Sequence, residues 1–523
     1  MSVELIKKPI TLDEMTTTES VQVVKEKDLI VPDGKPDLQS VVQLDGTVTI
    51  DQVDISKDRV MYRGKINVYV IYKTDGNDKE MYTMKGTIPI EDFVIVEGVD
   101  KDQNVDFECQ IENMSYNVLN ERKINAKAIM QITVSATGSQ ETTIITDVNA
   151  DSVVEAKEET IEIVSLGNEK EDKTIVKEDL TVPNNKPCIA EILKTALQLQ
   201  DEQVKRTENE IKYNGMIEVV AMYKAADSDD IEVVTHRVPF EGAVECPQDE
   251  NEVYWSCDLE VEPSYMQVTP DYDGEDRIIE SEFIVTAAYA TYVKDNYNTI
   301  ADIYLPGKKV TTKEKELNYV NLVDKKSVGI PKKETIAIDE DIPEGAEIVS
   351  VSIKPTVDDQ TLKDGRLTVN GVLDMSVLLL SKTEEANNLD TIVSAVPFTQ
   401  EIEVENIGDD AVLNVDVQVK DISVYAHTLK EIVLEYLLQL NVEEYEKESL
   451  KVVEEVNEEE MTKEEIDAYP SMVVYQVKKG DTLWNLAKKY NTTVKDIQDI
   501  NDIDAADSLQ AGQKIIVLKK TQF

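Results

Sequence analysis

Proton transfer near neutral pH most often calls on histidine, and this chain has two among 523 residues, His236 and His427. They lie far apart, and neither has a serine or cysteine nucleophile beside it in an arrangement that would make a triad. The cysteines, Cys109, Cys188, Cys246 and Cys257, are scattered, with no Cys-x-x-Cys pair. That usage fits reduced, buried thiols, although Cys246 and Cys257 are spaced to approach across a hairpin. No Gly-rich loop ending in Gly-Lys-Ser/Thr is present to cradle a nucleotide phosphate. Asp271-Tyr-Asp-Gly-Glu-Asp276 has the acidity of a calcium loop without its spacing or terminal glutamate, and Asp-Gly makes it a hairpin turn. Carboxylates are so numerous that no pair stands out as a general acid and base. The expectation is a protein that is not an enzyme, with no catalytic residues, no metal ligands and no cofactor.

The carboxylates do set the long-range field. There are 105 acidic residues against 54 basic ones, a formal charge of −51. Such a surface repels nucleic acid and anionic lipid and favours solubility. No stretch approaches the roughly 18 consecutive apolar residues of a membrane span. Residues 1–18 carry no apolar run behind a basic start, so no secretory signal is read and a cytoplasmic location is expected.

What chemistry-bearing residues there are must be positioned by repeated strands. Gly64–Tyr72 alternates, with Ile66, Val68, Val70 and Tyr72 on one face. Gly215–Tyr223 repeats it with Ile217, Val219, Ala221 and Tyr223, and Gly371–Leu379 with Leu373, Met375, Val377 and Leu379. A period of two in β-branched and aromatic residues predicts half-buried strands, and the leading glycine a tight turn or bulge at the strand start. Upstream, Val31-Pro32 and Lys35-Pro36 recur as Val182-Pro183 and Lys186-Pro187, and more loosely as Ile342-Pro343. These predict an extended arm, a turn and a short helix entering each unit. Downstream, Pro89, Pro239 and Pro397 each sit inside an apolar triplet, which marks an edge strand. Each unit closes on a long alternating strand: Ile124 to Val134, Phe283 to Tyr289, and Ile432 to Leu440.

With turn signals at 74–77 and 227–230, this is a mainly β chain of three antiparallel, sandwich- or barrel-like repeats, over 1–150, 151–305 and 306–442. Residues 1–19 are a polar lead. Segments 141–176 and 294–333 link the repeats and carry short strands such as Thr160–Val164. Residues 443–470 hold twelve acids and three lysines and are expected to be a flexible or weakly helical acidic linker.

Residues 471–523 differ in kind, with eight lysines and six aspartates from 473 onward. Val473–Val477 predicts a strand. Asp481 or Thr482 can cap a helix whose apolar face is Leu483, Leu486, Ala487 and Tyr490. Asn491-Thr492-Thr493 starts a second helix with Val494, Ile497 and Ile500 inward, and Gln513–Leu518 is a closing strand. This βααβ pattern, with Tyr475-x-Val477-x-x-Gly480-Asp-Thr-Leu-Trp484 and Ile500-Asn501, resembles a LysM domain. It departs at Ala511 and Leu518, where the family often has proline. The resemblance implies N-acetylglucosamine-polymer binding in a groove whose positions here are Gly480, Asp481, Thr482, Leu483, Asn501, Leu509 and Gln510. Trp484 lies at the margin, as packing residue or recognition aromatic.

Three Pro-turn, Gly-strand and Pro-triplet units followed by one such module resemble the SipL-like family of SPOCS-repeat spore morphogenesis proteins. The resemblance implies a non-enzymatic, coat-anchoring scaffold in the mother-cell cytoplasm at the forespore surface. Its LysM domain would bind the coat ATPase SpoIVA, the repeats would recruit other coat proteins, and no membrane insertion or nucleic-acid binding is implied. The alternative is a peptidoglycan-binding LysM protein, for which no export signal is read.

Overall fold

A computed structural model describes residues 3–13, 17–74, 80–101, 103–228, 230–337, 342, 345–382, 387–404, 411–428, 430–503 and 509–519. Residues 75–77 of the expected turn at 74–77, residue 229 of that at 227–230, Pro343 and the His427 side chain lie outside the described residues.

Each repeat is two three-stranded antiparallel sheets packed face to face. In the first repeat the ribbon strand β1 (Glu4–Asp13) comes first and returns below. One sandwich sheet contains β2 (Thr17–Ile30), and the other is β3 (Leu38–Ser56), β4 (Arg59–Thr74) and β5 (Met81–Ile95). Then β6 (Asn104–Asn120) and β7 (Lys123–Thr137) join β2 in the order β2-β7-β6. After β8 (Ser139–Asn149), the second repeat uses β9 (Glu155–Thr181), β10 (Ile189–Arg206), β11 (Glu210–Ala225), β12 (Ile231–Glu245), β13 (Glu252–Pro270) and β14 (Asp276–Tyr304). Its sheets are β10-β11-β12 and β13-β14-β9. The third uses β15 (Lys308–Ala337), β16 (Glu347–Lys363), β17 (Arg366–Lys382), β18 (Asn387–Glu403), β19 (Val412–Thr428) and β20 (Glu431–Glu460), as β16-β17-β18 and β15-β20-β19.

The alternating strands named from sequence are the central ones, β4, β11 and β17 in one layer and β7, β14 and β20 in the other, and their inward faces build the three cores. The proline-bearing strands β5, β12 and β18 are edges, where a missing N–H costs no ladder bond. Gly64 and Gly371 do not open their strands; they lie inside them, opposite bulges at Ile50/Gln52 and Val357/Asp359. There the bulged strand presses so close that a Cβ would stand 2.2 Å from the Thr49 or Thr356 carbonyl oxygen.

No short helix follows the Pro-rich arm. The chain turns between Pro32 and Lys35 and runs straight into β3. Arg122 holds the arm in this path, donating to the carbonyls of Val31 and Pro32 at 2.9 Å and of Lys35 at 3.1 Å. Arg277 repeats the clamp on Lys186 at 2.7 Å and Pro183 at 3.4 Å. The buried tyrosines answer the same arms: Tyr72 donates to the Pro36 carbonyl at 3.1 Å, and Tyr223 to that of Pro187 at 3.0 Å. The third repeat has Leu379 in place of the tyrosine and has also lost the Lys-Pro pair, so the two departures are one.

The lead and the linkers are strand as well. β1 pairs with β8 from Glu4–Asn149 to Asp13–Ser139, which places most of the polar lead in a ribbon. β9 and β14 run on past their sandwich to the pair Glu155–Tyr304, and β15 and β20 to Lys308–Glu460. The acidic linker is therefore strand up to Glu460. Valines and leucine alternate through the acids, so Val442 and Val452 are buried, and β15 supplies lysines opposite the glutamates: Lys325–Glu443 at 2.7 Å, Lys313–Glu454 at 2.7 Å and Lys308–Glu458 at 2.9 Å. Counting charge along one strand misses the cations of its partner. Only 461–471 remains outside the ladder, and it includes the short helix α1 (Lys463–Ala468).

Apolar clusters shared between the repeats hold them together. Ile71, Met222 and Leu378 are offset by the same 151 and 156 residues as the repeat glycines, and all three are buried in one shared cluster with Leu193 and Val349. Equivalent side chains meeting at one point describe a pseudo-threefold axis. Below the sandwiches the three ribbons pack on each other through Ile10 and Leu12, Ile161 and Ile163, and Leu317, Tyr319 and Val452.

Replacing Gly371 by alanine should lower stability by about 1–3 kcal/mol, because neither backbone can move aside. Gly34→Ala, with nothing within 4 Å of the added carbon, should change it by less than about 0.5 kcal/mol. Urea-unfolding midpoints of the two variants against the parent check this.

Candidate functional site: the docked C-terminal module

The last module is β21 (Met472–Gln476), α2 (Leu483–Tyr490), α3 (Val494–Asn501) and β22 (Lys514–Leu518), with β21 and β22 paired antiparallel. Thr482 caps α2, its hydroxyl accepting the Asn485 N–H at 3.1 Å, and Thr493 caps α3 through the Asp496 N–H at 3.0 Å. Asn491 ends α2 in the left-handed region with φ 55°, a conformation asparagine tolerates. Val477, Leu483, Leu486, Ala487, Ile497, Ile515 and Val517 form the core, and Tyr304 of the ribbon is part of it.

The candidate groove residues divide by role. Leu483 is buried in that core. Asn501 turns its amide onto β22, donating to the Ile516 carbonyl at 2.7 Å and accepting its N–H at 2.6 Å, which fixes α3 against the sheet. Gly480 turns with φ 93° and is exposed. Asp481 accepts the Lys478 N–H at 2.7 Å, and that bond holds its carboxyl below the ordinary range. Leu509 packs on the core from the side, and Gln510 is exposed, its N–H bonded to the Gln513 amide at 3.1 Å. Residues 478–480, Thr482 and 510–512 are exposed together on the module's surface, whereas 504–508 lie outside the described residues.

Trp484 is engaged with the ribbon. Its indole N–H donates to Asp302 at 2.8 Å, and its ring meets Tyr304 edge-on with centroids 5.0 Å apart. Lys488 pairs with both oxygens of Asp302, at 2.7 and 2.9 Å. The Tyr304 hydroxyl donates to the Thr492 carbonyl at 3.1 Å, and the Gly307 N–H to Asn491 Oδ1 at 2.9 Å. Lys519 reaches back to the carbonyls of Ile466 and Tyr469, strapping α1 to the module. The module is docked on the tip of the β9–β14 ribbon. Asp302, Tyr304 and Gly307 were not singled out from sequence; the available signal was an apolar Tyr304-Leu305 pair directly before a Pro-Gly turn, where solvent exposure would favour polar residues.

The other chemistry-bearing residues are dispersed. His236 is half-buried in β12, and burial pushes its imidazole below the ordinary value. All four cysteines are free thiols, and burial pushes Cys109 and Cys257 up to about 11. Asp271–Glu275 forms the β13–β14 turn, with the Asp271 N–H donating to the Glu275 carbonyl at 2.8 Å. Among the described residues no group of three or more histidines, cysteines or carboxylates is arranged to hold a metal.

Comparison with known families decides the identity of both parts. Residues 37–119, 188–270 and 346–427 each match the family described as SipL, SPOCS domain, and 475–517 match the LysM domain. The chain carries three SPOCS domains of the SipL family and one LysM domain. Each SPOCS match spans the first sheet and one strand of the second, as from β3 to β6, so the sandwich is completed by flanking strands. Both families are binding or scaffold domains. The LysM region is similar to that of the cortical fragment-lytic enzyme of Bacillus subtilis (strain 168), 46% identical over 52 residues, which is 10% of this chain and 12% of that enzyme. No solved structure matches the chain. No helix among the described residues is long and apolar enough to cross a membrane.

Burial pushes the Asp302 carboxyl up, but the bonds from Lys488 and Trp484 outweigh it and leave the group below its ordinary 3.8. A carboxyl lowered by the docked state adds stability that is complete above the ordinary value and lost as pH falls through the lowered one. Docking should therefore hold at neutral pH and weaken below about pH 4. Asp302→Ala should release the module at neutral pH. Limited proteolysis within 461–471 reads both effects as faster cleavage.

Proposed function

We propose that this chain is a non-enzymatic scaffold of spore-coat morphogenesis. Its LysM domain binds the coat ATPase SpoIVA and tethers coat to the forespore from the mother-cell cytoplasm. The observation that carries the reading is the domain set itself, three SPOCS domains and one LysM domain. The exposed positions Gly480, Thr482 and Gln510, with Asp481 and Leu509 beside them, are the proposed contact, and Trp484 holds the module on the ribbon. A module fixed on the ribbon presents this surface in one orientation. Many copies along a polymeric partner would gain by effective concentration. The repeats, within 1–150, 151–305 and from 306 onward, are the proposed recruiters of other coat proteins.

A second reading, N-acetylglucosamine-polymer or peptidoglycan binding, is favoured by the LysM match and by the likeness to the Bacillus cortical fragment-lytic enzyme. The two are separated by retention of the full chain on immobilised SpoIVA and on insoluble peptidoglycan. A Lys479→Glu, Gln510→Arg double variant changes only exposed groups. It should lose at least about tenfold in SpoIVA retention, equivalent to about 1.4 kcal/mol. Pelleting with peptidoglycan that the same variant abolishes, without retention on SpoIVA, would replace the scaffold reading by the second.

A further inference from the structure

The pseudo-threefold arrangement permits a comparison within one molecule. The first sheet of each repeat meets the next repeat along its edge strand. Gln198 of the second repeat donates to the Ile422 carbonyl of the third at 3.2 Å, and Lys354 of the third to the Ile111 carbonyl of the first. Their counterpart in the first repeat is Thr47, as the cross-strand pairs Thr47–Asn67, Gln198–Glu218 and Lys354–Asp374 show. Threonine is too short for that reach, and a groove of about 730 Å³ lies open there between the first and second repeats. Sites for small organic molecules have this size.

The walls carry apolar side chains from both repeats: Tyr69 from the first, and Ile192, Pro263 and Met266 from the second. The charged lining groups are Lys85, Lys194 and Asp45. Lys194 and Asp45 neutralise each other at 3.0 Å. Lys85 forms no ion pair among the described residues, and its ammonium stands 5.6 Å from the Tyr69 ring centroid. Tyr69 and Lys85 are a direct cross-strand pair. At the same place the second repeat has Val220 and Thr235, and the third Ser376 and Val393. The fold therefore requires neither the aromatic nor the cation, and the two coincide at the interface that Thr47 leaves open.

We propose that this groove binds a small organic anion, its aromatic or aliphatic body against Tyr69, Pro263 and Met266 and its carboxylate, sulfonate or phosphate on the Lys85 ammonium. An apolar recess with one uncompensated cation takes up the body by burial and orients it by charge. The chain's −51 repels anions at long range, but that repulsion is screened beyond about 8 Å at physiological salt, while Lys85 acts at contact. Because the walls belong to two repeats, an occupied groove also fastens the first repeat to the second. This site stands apart from the LysM contact proposed above.

Isothermal titration calorimetry of the full chain with naphthoate, and with the neutral naphthamide, tests it at about 0.15 M salt. The expected result is one naphthoate per chain with a Kd below about 100 µM, and naphthamide at least about tenfold weaker. Lys85→Thr and Tyr69→Val each install the residue that the second repeat carries at that place, so both variants should unfold at the parent's temperature. Lys85→Thr should weaken naphthoate to the level of naphthamide, and Tyr69→Val should weaken both ligands at least about threefold. Naphthamide binding as tightly as naphthoate overturns the proposal. So does a Lys85→Thr variant that binds naphthoate as the parent does, or a parent without saturable binding up to about 1 mM.

Discussion

A pair of β-strands alone in water is marginal, because it has one apolar face and nothing to lay it against. This chain contains three such pairs, the ribbons that continue beyond the sandwiches, and each solves the problem by lying against the other two. Ile10, Leu12 and Ile144, Ile161 and Ile163, and Leu317, Tyr319 and Val452 are buried against one another in one shared cluster. The requirement fixes the relative placement of the sandwiches above. It also creates a tip at Asp302–Gly307 where the C-terminal module completes its own core with Tyr304. Remove the need for ribbons to share a core, and neither the axis at Ile71, Met222 and Leu378 nor the orientation of the LysM domain would be determined.

The strands were legible because their burial is local and periodic. The faces Ile66 to Tyr72 and Ile124 to Val134 alternate without interruption, and every one of those residues is buried. The edge prolines were legible for the same reason, since a missing donor has a local consequence. What escaped was non-local. Arg122 sits some ninety residues from the arm it clamps, and no spacing rule connects them. The lysines of β15 neutralise the glutamates of β20 across more than a hundred residues, so the acidic run looked like a tether. In the module, the caps and core followed from sequence, whereas the division of Trp484 from the exposed loop residues depended on Asp302, on another element entirely.

Charge in this molecule does more for specificity than for stability. The cations are placed at repeat junctions: Lys35 to Glu191 at 2.7 Å, Lys194 to Asp45 at 3.0 Å, Lys420 to Glu202 at 3.1 Å and Lys382 to Glu232 at 2.9 Å. Partly exposed pairs of this kind are worth about 0–1 kcal/mol each. Their value lies in register. In a chain with twice as many acids as bases, a wrongly docked repeat faces carboxylate with carboxylate, and that mismatch is costlier than the correct pair is favourable.

The ribbons also order events in time. Their last pairs join Glu4 to Asn149, Glu155 to Tyr304 and Lys308 to Glu460, so each encloses a whole sandwich between its two strands. A contact across so much chain is entropically expensive until the enclosed part has folded and brought its ends together. The sandwiches must therefore form first and the ribbons close behind them. The shared body is complete only after β20 has left the ribosome. The seat for the LysM domain appears at almost the moment that domain is itself synthesised.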